Sequence, residues 1–201
     1  MAILLNVPYR DYEELRGAAD RFLEQHHPDG SIPVPIEKII DNDFEVNVVP
    51  LPGLSEVIET VAFLSSDLSN IYVDEYVYKT RPTRYRFSLA HEIAHVILHQ
   101  DCYKVLRVNS ISDWKSRVSE LPPKEYSWME WQANCLAGLI LVPAKPLTQF
   151  YEEAKAKVAG VGLTLTSAKD AARDAAFGYI AKAFEVSSVV IEKRVDFDQL
   201  Q

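Results

Sequence analysis

The chain has 201 residues, 48% of them hydrophobic and 25% charged, enough to bury an ordinary apolar core without disulfide staples. Its 29 acidic against 21 basic side chains leave a formal net charge of -8, which argues against a broad electrostatic grip on nucleic acid or anionic lipid. No apolar run approaches the ~20 residues that span a bilayer, and Ala2-Ile3-Leu4-Leu5 is too short for the apolar region of a leader, so a cytoplasmic protein is expected.

Along the chain, Tyr12, Leu15, Ala19, Phe22 and Leu23 recur at helical spacing between Tyr9 and His27, and Pro28-Asp29-Gly30 ends that helix. Ile36 to Ile40 reads as a short helix closed by Asp41-Asn42-Asp43. Three strand-like runs follow. Phe44, Val46 and Val48 alternate with polar residues, Val57 to Leu64 is rich in β-formers, and Asn70 to Asp74 comes after a Ser-rich turn. The last two are expected to pair as an antiparallel hairpin. Lys79, Arg81, Arg84 and Arg86 form the single candidate basic patch, and Arg84 and Arg86 are expected to pair with acids on a neighbouring element.

From Thr83, the expected N-cap, the period becomes helical, with Leu89, Ile93, Val96 and Ile97 forming an apolar stripe up to about His99. Residues 101 to 127, with Pro122-Pro123, read as irregular. A second buried helix is expected from about Tyr126 to Leu141, stopping before Pro143. Lys145 to Ala159 and Ser167 to Phe184 read as helices, and a last short helix runs to Arg194 as a packing or partner-docking surface. This order predicts one α+β domain over 1–201, with N-terminal helices in 1–43, sheet and site helices in 44–143, and a helical remainder in 144–201.

His91-Glu92-Ile93-Ala94-His95 is an H-E-x-x-H motif inside the first buried helix. Residues four apart lie one turn up the same helical face, so both imidazoles can reach one cation. Glu92, beside the first histidine, is placed to take a proton from the attacking water. Two histidines with one carboxylate suit zinc and leave a fourth position open, although manganese or iron(II) would also accept them. The third ligand is expected at Glu130, a carboxylate set among Trp128, Trp131, Leu136 and Ile140, with Glu125 in reserve. Asn134 shares the face of Glu130 and is expected to hydrogen-bond the free ring nitrogen of one histidine. Tyr126, Tyr103 and His99 are the candidates for substrate or oxyanion contact, with His99 also readable as a helix-end packing residue. Cys102 and Cys135 are too few for a disulfide framework, and Cys135 reads as a small core residue.

The segment Arg86-Phe87-Ser88-Leu89-Ala90-His91-Glu92-Ile93-Ala94-His95-Val96-Ile97-Leu98-His99 and the later Glu130-Trp131-Gln132-Ala133-Asn134-Cys135-Leu136-Ala137-Gly138-Leu139-Ile140-Leu141-Val142-Pro143 together resemble the ImmA/IrrE metallopeptidases. Gln132 stands where that family has its second glutamate, and Ala94 where it often has glycine. The resemblance implies a minimal zincin-like core with a small, mostly antiparallel sheet packed on the active-site helix. It further implies cleavage of a partner protein, such as a helix-turn-helix repressor, rather than direct contact with nucleic acid or membrane. With no room for a reading domain before Ile32, a stand-alone protease subunit is expected. The competing reading is a catalytically silent metal-binding sensor or interaction module. Glu92 separates the two, because a structural site has no need of that base.

Overall fold

The computed structural model describes residues 5–160, 162, 165 and 170–200. Ala2 to Leu4 of the short apolar N-terminal stretch, and Ser167 as the start of a helix, lie outside the described residues.

Helix α1 (Tyr12–His26) opens with a capping box in which the Asp11 side chain accepts from the Glu14 amide and Glu14 accepts from the Asp11 amide. Its buried stripe is Leu15, Ala18, Ala19 and Phe22. α2 (Ile36–Asp43) buries Ile36, Ile39 and Ile40. Strand β1 (Asn47–Leu51) follows, then α3 (Leu54–Ile58), β2 (Ala62–Leu64) and β3 (Asn70–Asp74). The run expected as one strand from Val57 is therefore split. Gly53 adopts the left-handed φ of 67° that a glycine takes freely and opens α3, while Glu59 at φ 56° closes it. Leu54 and Ile58, four apart, are buried and Val57 is exposed, the pattern of one helical turn.

The sheet order is β1-β3-β2. β1 pairs with β3 in parallel from Asn47 opposite Asn70 to Leu51 opposite Asp74. β2 pairs with β3 antiparallel, Ala62 opposite Val73 and Leu64 opposite Ile71, as expected of the hairpin. The sheet is thus mixed rather than mostly antiparallel, because the chain lays β2 at the far edge before β3 returns to the central position beside β1.

α4 (Glu75–Thr80), not evident in the sequence, starts directly at the end of β3, where the Asp74 carboxylate accepts from the Val77 amide at 3.1 Å. α5 (Pro82–Leu98) carries the H-E-x-x-H motif. Its first residue is Pro82, a position where a missing N–H costs nothing, so Thr83 lies in the first turn rather than at the cap. The segment read as irregular holds α6 (Gln100–Leu106), which buries Cys102, Tyr103 and Leu106, and α7 (Ile111–Val118), whose Ser110 cap accepts from the Asp113 amide. Pro123 then begins α8 (Pro123–Leu141) rather than lying in a loop.

α9 (Ala144–Ala159), α10 (Asp170–Phe184) and α11 (Ser188–Phe197) complete the described chain. One apolar core runs from α1 through the sheet to α11, and α8 lies along α5 and against α1. The fold is α+β, a mostly helical body around a three-stranded sheet. No described helix is long and apolar enough to cross a membrane.

Candidate metal centre

α5 and α8 pack side by side, and each projects part of one cluster into the seam. On α5, Leu89, Ile93 and Ala94 anchor the helix in the core with 0% exposure, which leaves His91 and His95 aligned one turn apart. On α8, Met129, Ala133 and Leu136 are buried and hold Glu130 at the same level. His91 Nε2 and His95 Nε2 lie 3.1 Å apart. Glu130 brings one carboxylate oxygen to 3.2 Å from His91 Nε2 and the other to 3.5 Å from His95 Nε2.

These spacings test whether the residues fit a cation. Bonds of about 2.0–2.1 Å at tetrahedral angles put ligand atoms about 3.3 Å from one another. The observed 3.1, 3.2 and 3.5 Å bracket that value. Two imidazole nitrogens facing each other with a carboxylate on both is the arrangement a divalent ion resolves, and His91, His95 and Glu130 form such a group. Glu125, the reserve ligand, is not in it.

The electrostatics are those of a tightly shared charge. Burial opposes protonation of His91, but hydrogen bonding to Glu130, the charges of Glu92 and Glu130, and the Asn134 side chain outweigh it and raise the imidazole to about 8. Burial likewise works upward on Glu130, yet hydrogen bonds and charge from His91 and His95 hold it far below the usual carboxylate range. Glu92, 4% exposed, is pushed up chiefly by burial. Asn134 donates its amide to the Glu130 backbone carbonyl at 2.8 Å and faces His91 with the rest of its side chain.

A cleft of about 740 Å³ runs past His91, Glu92 and Glu130. Tyr103 and Tyr126 line it, and both phenols are pushed well above their ordinary pKa, first by burial and then by nearby acids, so both retain their O–H. Arg84 also lines this cleft, while Arg86 turns inward to donate to the Val34 carbonyl at 2.8 Å and sits 3.6 Å from Glu185. Lys79 pairs with Glu75 at 2.7 Å, so the four bases form no continuous patch. Cys135 lines the cleft too, but burial raises its thiol to about 11 and leaves it protonated.

His99 does not face this cleft. It is 1% exposed behind His95, with Nδ1 3.0 Å from His95 Nδ1 and Nε2 3.3 Å from Gln132 Oε1. Burial and the neighbouring imidazole lower it to about 3, so it is neutral and cannot reach a substrate oxyanion. The sequence marked Gln132 only as a departure from the family's glutamate; its amide N–H bonds the Pro8 carbonyl at 2.8 Å. The available signal was an amide within a helix expected to be buried, since a buried amide needs partners, and Gln132 is 0% exposed.

No match to the chain is found among curated proteins. The Peptidase_M78 family model, described as the IrrE N-terminal-like domain, matches residues 44–196, a span that holds the sheet, the H-E-x-x-H helix and Glu130. The chain therefore belongs to this family of metallopeptidases.

Proposed function

We propose that the protein is a peptidase in which His91, His95 and Glu130 hold one divalent ion, zinc by the chemistry of the donor set, and Glu92 is the catalytic base. The convergence of three donor atoms from two helices at about tetrahedral spacing carries this reading. When bound, the ion supplies Lewis acidity to a scissile carbonyl and to water. The Glu92 carboxylate, desolvated and raised in pKa, accepts the proton of the attacking water and returns it to the leaving amine. Tyr126, half-buried in the cleft and still protonated, is placed to donate to the developing oxyanion, with Tyr103 deeper behind it.

The substrate is a polypeptide held in extended form. β2 is one of the two edge strands of the sheet, and the Val61 carbonyl and Ser65 amide point toward β3 through bonds to Asp74 and Asn70. By alternation, the peptide groups of Ala62 and Leu64 point the other way, into the cleft that Ala62 and Leu64 line. A substrate strand added there would lie beside Glu92. Following the family resemblance, we take a helix-turn-helix repressor as the partner cleaved, with a flexible segment rather than its folded core entering the cleft.

Element-resolved metal analysis of untagged protein, beside His95→Ala and Glu130→Ala, tests the site. About one zinc per chain, lost in both variants, is the expected result. Zinc retained by Glu130→Ala would remove that residue from the ligand set.

A further inference from the structure

Behind the ligands, three fully buried polar side chains form one hydrogen-bonded line, and the direction of each bond in it can be assigned. The line starts at Pro8, whose carbonyl oxygen can only accept, so the group 2.8 Å away on Gln132 is its NH₂. The reverse amide orientation would set two oxygens against each other. Gln132 Oε1 is therefore the atom 3.3 Å from His99 Nε2, and that ring nitrogen carries a proton. His99 is 1% exposed and no acid among the described residues is hydrogen-bonded to it, so its ring is neutral and its Nδ1 is a bare acceptor. His95 Nδ1, 3.0 Å away, must then donate. In the neutral ring this Nδ1 proton leaves the lone pair on Nε2, the atom that faces His91 and Glu130.

We propose that His99 and Gln132 are positioning residues that fix His95 as its Nδ1–H tautomer and so present its Nε2 lone pair to the metal. This rests on the reading of His95 as a ligand. A carboxylate often performs this task behind a metal-bound histidine. Here a neutral imidazole does so, its own polarity set by an amide that is anchored in turn to the N-terminal segment before α1.

Long-range ¹H–¹⁵N correlation spectra of the metal-free protein read the tautomers directly. Wild type is expected to show His95 protonated at Nδ1 and His99 at Nε2. In His99→Leu the acceptor is gone, His95 should move toward its Nε2–H form, and the zinc dissociation constant should rise about 10- to 100-fold. His99→Gln can accept from His95 and donate to Gln132, and it should restore most of the affinity. Wild-type His95 protonated at Nε2, or unchanged zinc affinity in His99→Leu, would overturn the proposal. So would a His99→Gln variant as weak as His99→Leu. If wild type bound no zinc, the ligand reading would fail by itself, and the metal-free tautomers would still decide the assignment.

Discussion

Glu92 and Glu130 carry the same functional group in one cleft, yet their surroundings push them in opposite directions. Burial dominates at Glu92 and raises it, whereas two imidazoles overcome burial at Glu130 and keep it ionised. Divergent environments for two nearby carboxylates are a means of assigning separate tasks, and they match the proposed proton transfer at Glu92 and ligation at Glu130. Glu92→Gln preserves shape and removes the base. Turnover should fall by about 10²- to 10⁴-fold while metal content stays at the wild-type level, measured on the same preparation. A variant that still cleaved at the wild-type rate would leave Glu92 without a catalytic role. The candidate pair His91 and His95 was legible because four-residue spacing on a helix is a local property. The task of His99 was not, since it depends on Gln132 and Pro8, which are remote in sequence.

At the level of elements, Asp74 is the joint between sheet and helices. One carboxylate oxygen accepts from the Val77 amide at 3.1 Å and starts α4, while the other accepts from the Ser55 amide and hydroxyl at 3.0 and 2.9 Å in α3. With 2% exposure, removing it leaves three donors unpaired. Asp74→Ala should cost about 1–3 kcal/mol in denaturant unfolding, and Asp74→Asn should cost less. Asparagine keeps the bond to Val77 but sets an NH₂ against the Ser55 amide. Burial opposes its charge, but these hydrogen bonds hold the carboxyl below its ordinary 3.8. Its stabilisation is therefore complete above that pH and fades as pH falls through the folded-state value. A wild-type minus Asp74→Ala difference that stayed constant through this acid range would contradict the assignment. Long amphipathic helices such as α1 and α8 were legible from periodicity. α3, α4 and α6 were not, because a helix of one or two turns offers too few positions to separate a period of 3.6 from a period of 2.

For the whole molecule, the sequence revealed the strands more readily than their order. Parallel pairing of β1 with β3, which leaves β2 on the far side of β3, depends on nonlocal contacts that no local pattern encodes. The same nonlocality gives the proposed metal its leverage on stability. Its ligands come from α5 and α8, which pack along each other through the core, so an ion bound there requires both helices to be in place. An ion that binds only the folded state stabilises it by about 2.7 kcal/mol at a free concentration of 100 times its dissociation constant. In a chain of this length that corresponds to a rise in Tm of about 5–11 °C, at about 2–4 °C per kcal/mol. Differential scanning fluorimetry with and without zinc should show this rise in wild type and in Glu92→Gln. It should be absent in His95→Ala and Glu130→Ala, which lack a ligand. An equal rise in all four proteins would place the stabilising ion elsewhere. No rise in wild type, despite stoichiometric zinc by metal analysis, would mean that the unfolded chain competes for the ion, and the site would then add nothing to the stability of the fold.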